Sequence, residues 1–229
     1  MPDDVVPEAL RQLAWLRTPY GAAATALAAR LLADGTDLLP GLARLRAEVG
    51  AEHAGPAWEL ARLRARARPA FGADADVLFL TADTLEQAGR PELAVRRAAR
   101  LLAAGPTRAA DLGCAAGTDT VALARTGAEV VAVDRDPLAR ALTVANAEAL
   151  GVADRVEVRD ADVVGLVAAA DAEVAGCPAA TLDPARRSAS SGRPACSRAS
   201  AVKKRTSASA PKTGRARARR RASSHAGPA

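Results

Sequence analysis

Between residues 107 and 184 the chain alternates two kinds of segment, and this alternation restricts its fold more than any other feature. "RAADLG", "AEVVAVD", "RVEVRDAD" and "AATLDP" are short β-branched or small-apolar runs, and helix-patterned segments separate the first three. Such alternation predicts a parallel sheet built from βαβ units. The clearest single element is the helix after Asp134. Asp136 can cap it and Pro137 can occupy its first turn. Leu138, Ala141, Leu142, Ala145 and Ala149 form its expected buried stripe, and Gly151 ends it.

The part before residue 75 reads as helical throughout. "VPEALRQLAWLR" spaces Val6, Leu10, Leu13 and Leu16 by three and four residues, and "GAAATALAARLLADG" continues the pattern until Gly35. Further helices are expected from Leu38 to Val49 and from Pro56 to Arg66. The arginine comb "RLRARAR" at 62 to 68 reads as a solvated helix face whose charges pair with Glu52 and Glu59, in preference to a nucleic-acid contact. "FLTADTLEQAGRPELAVRRAARLLAAG" then gives two helices, broken near Gly89 to Pro91 and stopping at Gly105.

Charge divides the 229 residues into two unequal parts. Residues 1 to 185 hold 19 arginines against 26 acidic residues, a net of −7, whereas residues 186 to 229 hold 13 basic residues and no acidic one. The pI near 10 of the whole chain therefore points to a nucleic-acid or membrane-surface partner only for the last 44 residues. Cys114, Cys177 and Cys196 are odd in number, widely spaced and far from histidine, which points to reduced thiols and no metal site. The acidic start "MPDDVVPEAL" is unlike a signal peptide, and Arg30 interrupts the longest alanine-leucine run. A cytoplasmic protein without a membrane span is expected.

In a parallel sheet, ligands bind beyond the carboxyl ends of the strands, and Asp111 to Gly117, Asp134, Asp160 and Asp183 fall at four such ends. A dinucleotide fingerprint G-x-G-x-x-G does not fit, because Ala115 and Thr118 stand where its second and third glycines belong. An acidic residue two positions before Gly113, with Gly117 four after it, instead suits close passage of the backbone past a small zwitterionic tail beside a helix amino terminus. Asp134 can accept both hydroxyls of a ribose, and Asp160, or Asp162 beside it, can accept a hydrogen bond from an adenine amino group.

"ADLGCAAGTDTVALA", "VVAVDRDPLARALTVANAEALGV" and "VEVRDADV" resemble motifs one to three of class I S-adenosylmethionine-dependent methyltransferases. More narrowly, "FLTADTLEQAGRPELAVRRAARL" and "LDPARR" resemble a bacterial subgroup with a THUMP-like domain. The likeness covers residues 75 to 187. It implies a Rossmann-like α/β three-layer sandwich, S-adenosylmethionine as cofactor and RNA as substrate. By the same resemblance Asp111, Gly113, Cys114, Ala115 and Gly117 hold the methionine end, Asp134 with Arg135 the ribose, and Asp160 with Ala161 the adenine. Asp183 and Pro184 face the substrate, and a strand-ending Asp-Pro turn is the plain alternative for that pair. Ala115 replaces a glycine usual at its position, which implies a tighter loop and weaker cofactor binding.

The expected organisation is a helical domain over 1 to 74, an incomplete methyltransferase domain over 75 to 187 and a basic Ser/Ala/Arg/Pro-rich tail over 188 to 229. After Pro184 the only aliphatic residue larger than alanine is Val202, so the tail cannot bury enough apolar surface to offset its ordering entropy. Either the tail binds nucleic-acid phosphates, or a shift of reading frame just after Arg187 replaced the remaining strands; the second is the favoured expectation. Two other functions stand against methyl transfer: a NAD-type oxidoreductase, and a non-enzymatic remnant with a basic tail that binds nucleic acid.

Overall fold

A computed structural model describes residues 7–87, 91–103, 105, 107–169 and 171–182. Asp183, Pro184 and the basic tail lie outside these residues. Four helices come first: α1 (Glu8–Leu16), α2 (Pro19–Ala33), α3 (Leu38–Val49) and α4 (Ala51–Phe71). Thr18 caps α2 by accepting from the Gly21 N–H at 3.1 Å, and Gly35 beyond its end has φ +73°, the left-handed setting that stops a helix. Helix α4 begins five residues before the expected Pro56. Ala51 to Gly55 already make helical turns, and the helix runs through the proline at the expense of the hydrogen bond that Pro56 cannot donate.

These helices have a small core of their own, in which Trp58 packs with Ala28, Leu45, Ala54 and Ala61. A Cβ on Gly41 would stand 2.2 Å from the Trp58 ring, so α3 and α4 approach as they do because that position is glycine. The arginine comb is more divided than its sequence suggests. Arg62 pairs with Glu59 at 2.7 Å and Arg68 with Asp76 at 2.5 Å on the surface. Arg64 turns inward, donating to the carbonyls of Leu78 at 2.8 Å and Val77 at 3.1 Å and lying over the Phe79 ring. Burial lowers its pKa to about 10, which leaves it a cation at neutral pH.

Residues 77–81 pass from this body to α5 (Ala82–Gln87) and α6 (Pro91–Leu102), after which the sheet begins. Its strands are β1 (Arg108–Leu112), β2 (Glu129–Asp134), β3 (Val156–Asp160) and β4 (Ala179–Leu182), all parallel, in the order β3-β2-β1-β4. The crossovers are α7 (Thr118–Arg125), α8 (Pro137–Ala149), and the short pair α9 (Val163–Ala169) and α10 (Ala172–Ala175). Ala109, Val130 and Ala179 face α6 and α7 on one side of the sheet. Ala110, Leu112, Val131 and Val133 face Val163, Leu166 and Val174 on the other. The sequence thus yields the expected Rossmann-like layering, with the helical body preceding it.

Helix α8 departs from its expected stripe. Asp136 caps it through the Leu138 N–H at 2.9 Å, as its sequence suggests, yet Ala149 is exposed and Ala139, Thr143, Asn146 and Ala147 are buried. The reason is that α8 is covered on two sides. One flank lies on the sheet, and the other receives Leu13 of α1 and Phe79, which pack with Ala116, Leu142 and Ala145.

Candidate functional site

The chain passes from β1 to β2 to β3 on one side and then returns beside β1 as β4, so the strand order reverses at β1. A reversal of this kind leaves a crevice beyond the carboxyl ends of the strands. The loop 113–117 occupies that place.

The loop has an unusual backbone. Gly113 has φ +90°, Gly117 has φ +82° and Ala115 has φ +50°, the one non-glycine residue with positive φ among those described. At Gly117 space matters as much as torsion, because a Cβ there would lie 3.2 to 3.3 Å from three atoms of Thr143. The N–H groups of Gly113 and Cys114 both donate to the Val133 carbonyl, at 2.8 and 3.1 Å, so the loop leaves β1 bound to the end of β2. The Gly117 N–H closes the turn on the Cys114 carbonyl at 2.7 Å.

Helix α8 holds the loop from behind. The Thr143 hydroxyl donates to the Ala115 carbonyl at 3.1 Å, and the Asn146 side-chain amide donates to the Ala116 carbonyl at 2.8 Å and the Phe79 carbonyl at 3.0 Å. Asn146 Oδ1 also accepts from the Phe79 N–H at 2.7 Å. One buried amide therefore joins the loop, α8 and the segment leading from the helical body. Thr143 and Asn146 are not among the residues that the sequence motifs point to. Their signal is present as two polar residues three apart among the buried alanines and leucine of α8.

Asp134 is the last residue of β2 and is half-buried. Its Oδ2 accepts from the Ala115 N–H at 3.1 Å and its Oδ1 from the Asp136 N–H at 3.0 Å, so two backbone amides fix the carboxylate. Of about four acceptor positions on a carboxylate, two remain for a ligand. Arg135 beside it is exposed. Asp160 sits opposite Asp134 in register, and Arg140 binds both of its oxygens, at 2.8 and 2.9 Å. Ala161 follows at the strand end, where its N–H reaches the Asp134 carbonyl at 3.4 Å.

Asp111 occupies a different setting. It is 2% exposed and faces α7, where the Thr120 hydroxyl donates to its Oδ2 at 2.5 Å and the Thr120 backbone donates as well. Burial pushes its pKa up to about 7, with the neighbouring Asp119 acting in the same direction; the Thr120 bonds and Arg97 oppose them. Its immediate work is to tie the start of α7 to β1, and Asp119, paired with Arg97 at 2.7 Å, ties the same helix to α6. The Cys114 thiol is pushed up to about 12, chiefly by burial, and so is not a nucleophile at neutral pH.

Residues 107–181, which carry this whole arrangement, match a family described as RNA cap guanine-N2 methyltransferase. The similarity is to a methyltransferase family and is confined to this segment. Residues 9–67 match a family described as a domain of unknown function, which does not bear on the narrower THUMP-like resemblance. No curated protein matches the chain. Among solved structures, cofactor-bound Rv0187 from MTB aligns with 22% identity and a TM-score of 0.35 over 56% of this chain and 52% of that one. An O-methyltransferase from Bacillus cereus in complex with SAH aligns with 21% identity and a TM-score of 0.35 over 50% and 57%. A putative O-methyltransferase from Klebsiella pneumoniae gives 15% and 0.32 over 49% and 47%. The chain spans about half the length of these structures. Among the described residues, no helix is long and apolar enough to cross a membrane, and no three His, Cys, Asp or Glu side chains group as metal ligands.

Proposed function

We propose that the methyltransferase domain binds S-adenosylmethionine across the carboxyl ends of β1, β2 and β3 and directs its methyl group to a base nitrogen of RNA. The observation that carries this reading is Asp134, fixed by the N–H groups of Ala115 and Asp136 at the end of β2 with acceptor positions left for a ribose diol. The loop also fits the cofactor better than it fits NAD. A pyrophosphate needs close backbone approach at the second glycine of its fingerprint, and here Ala115 presents a methyl group at that position.

In this reading the backbone of Gly113 to Gly117 and the start of α7 receive the methionine end, with Asp111 holding that helix in place from below. Asp134 and Arg135 serve the ribose, and Asp160 and Ala161 the adenine. When bound, S-adenosylmethionine supplies an electrophilic methyl group on a sulfonium that departs as a neutral thioether. The protein's own contribution is positioning. Asp183 and Pro184 come directly after β4 in the sequence, and Asp183 would orient a nucleophilic amino group and take up its proton. RNA, and guanine in particular, is supported by the family matched over 107–181. The 13 basic residues after residue 185 would add a salt-dependent attraction to its phosphates. The reading places this chemistry in the cytoplasm.

Incubation of the full chain with methyl-labelled S-adenosylmethionine and total RNA, followed by nucleoside digestion, tests the proposal. Label in a methylated guanine nucleoside is the expected result. Label in protein alone, or none in RNA at any salt concentration that permits folding, contradicts the RNA assignment.

A further inference from the structure

The two carboxylates assigned to ribose and adenine belong to adjacent strands, and one side chain spans both strand ends. Arg140, in the first turn and a half of α8, donates from Nη1 to the Asp134 backbone carbonyl at 3.1 Å and to Asp160 Oδ1 at 2.8 Å, and from Nη2 to Asp160 Oδ2 at 2.9 Å. Its side chain is 20% exposed, whereas that of Asp160 is 72% exposed. A carboxylate so exposed has no packing to hold its rotamer. The planar guanidinium, fixed in the helix layer, supplies that constraint through a two-point contact.

Resting on the S-adenosylmethionine reading, we propose that Arg140 is the positioning residue for the adenine end of the site: it holds the Asp160 carboxylate in one pose against the end of β2, so that its remaining lone pairs select an amino group over an oxo group at the purine 6-position. A carboxylate accepts hydrogen bonds and cannot donate them when ionised, so it favours the 6-amino group of adenine and repels the 6-oxo group of hypoxanthine. That discrimination is sharp only when the carboxylate is held. A side chain that swings freely can turn away from the wrong group and lose little by it.

The test measures selectivity, using S-adenosylhomocysteine and its 6-oxo counterpart S-inosylhomocysteine in isothermal titrations of the full chain. The wild type is expected to prefer the amino ligand by about tenfold or more, the range of a hydrogen bond to a charged group. Arg140→Gln should bring the preference to within about threefold of unity chiefly by weakening the amino ligand, and Arg140→Lys, which keeps charge but loses the fork, should do nearly the same. Asp160→Asn should equalise or invert the preference, because its amide can donate to an oxo group. Should Arg140→Gln prove unstable in thermal melting, the Arg140→Lys and Asp160→Asn titrations decide. Retention of the wild-type preference in the Arg140 variants overturns the proposal, as does an equal loss for both ligands, which marks Arg140 as merely structural. If the wild type binds neither ligand, the cofactor reading itself fails, and that outcome is distinct from either of the others.

Discussion

Replacing Ala115 with glycine is a small change whose effect can be worked out from the backbone. Ala115 has φ +50°, and a non-glycine residue in the left-handed region costs about 1 to 2 kcal/mol. Glycine returns about 0.5 to 1 kcal/mol of that through its larger unfolded-state entropy. The half-buried methyl group gives up a further fraction of the roughly 0.8 kcal/mol that a fully buried CH₂ contributes. Both hydrogen bonds of the residue, to Asp134 and from Thr143, are made by the backbone and survive the change. The balance is a gain of about 0.5 kcal/mol, or roughly 1 to 2 °C in Tm for a folded unit of this size. Scanning calorimetry at pH 7 reads the shift, and titration with S-adenosylhomocysteine should show tighter binding because the methyl group no longer narrows the loop. A lower Tm, or weaker binding with Tm unchanged, refutes the claim that the loop is strained at this position.

Asp111→Asn should flatten the dependence of stability on pH. With a folded-state pKa of about 7, raised by burial above the ordinary aspartate value of 3.8, the native protein keeps a proton that the unfolded chain releases, so its stability falls as pH rises between about 4 and 7 and then levels off. Urea titrations at pH 4.5, 6 and 8 should lose a slope of up to about 1.4 kcal/mol per pH unit in the variant; an unaltered slope rejects the buried, protonated Asp111. Asn146→Leu removes three hydrogen bonds and strands the Phe79 N–H and the carbonyls of Phe79 and Ala116, for a loss of about 3 to 5 kcal/mol by denaturant unfolding. A loss below about 1 kcal/mol means that the amide does not join loop and helical body as described.

What the sequence disclosed and what it concealed divide by sequence distance. Strands that end in Asp134 and Asp160, a first strand with Asp111 next to its last residue, the Asp136 cap and the Gly35 stop are local patterns, and each appears in the structure where its pattern lies. Ala149 lies off the expected stripe because a helix lying on one surface has one stripe, whereas α8 also receives Leu13 and Phe79 from far upstream. Helix α4 begins before the expected Pro56 because a proline resembles a helix beginning even where earlier residues already make helical turns. The roles of Asn146 and Arg140 depend on partners 67 and 20 residues away, and Arg64 turns in toward carbonyls 13 and 14 residues on. No periodicity within a window of one helix reveals such pairings. Asp111 shows the same limit at a strand end: its position was legible, but its burial beneath Thr120 follows from how α7 folds back over β1.

Whether Asp134 and the loop 113–117 form a site for S-adenosylmethionine is read from isothermal titration of the full chain with S-adenosylhomocysteine. One site per chain is expected, with at least about tenfold weaker binding in Asp134→Ala and no heat from NAD under the same conditions. Saturable binding of NAD in place of S-adenosylhomocysteine, or S-adenosylhomocysteine binding that Asp134→Ala leaves unchanged, contradicts such a site.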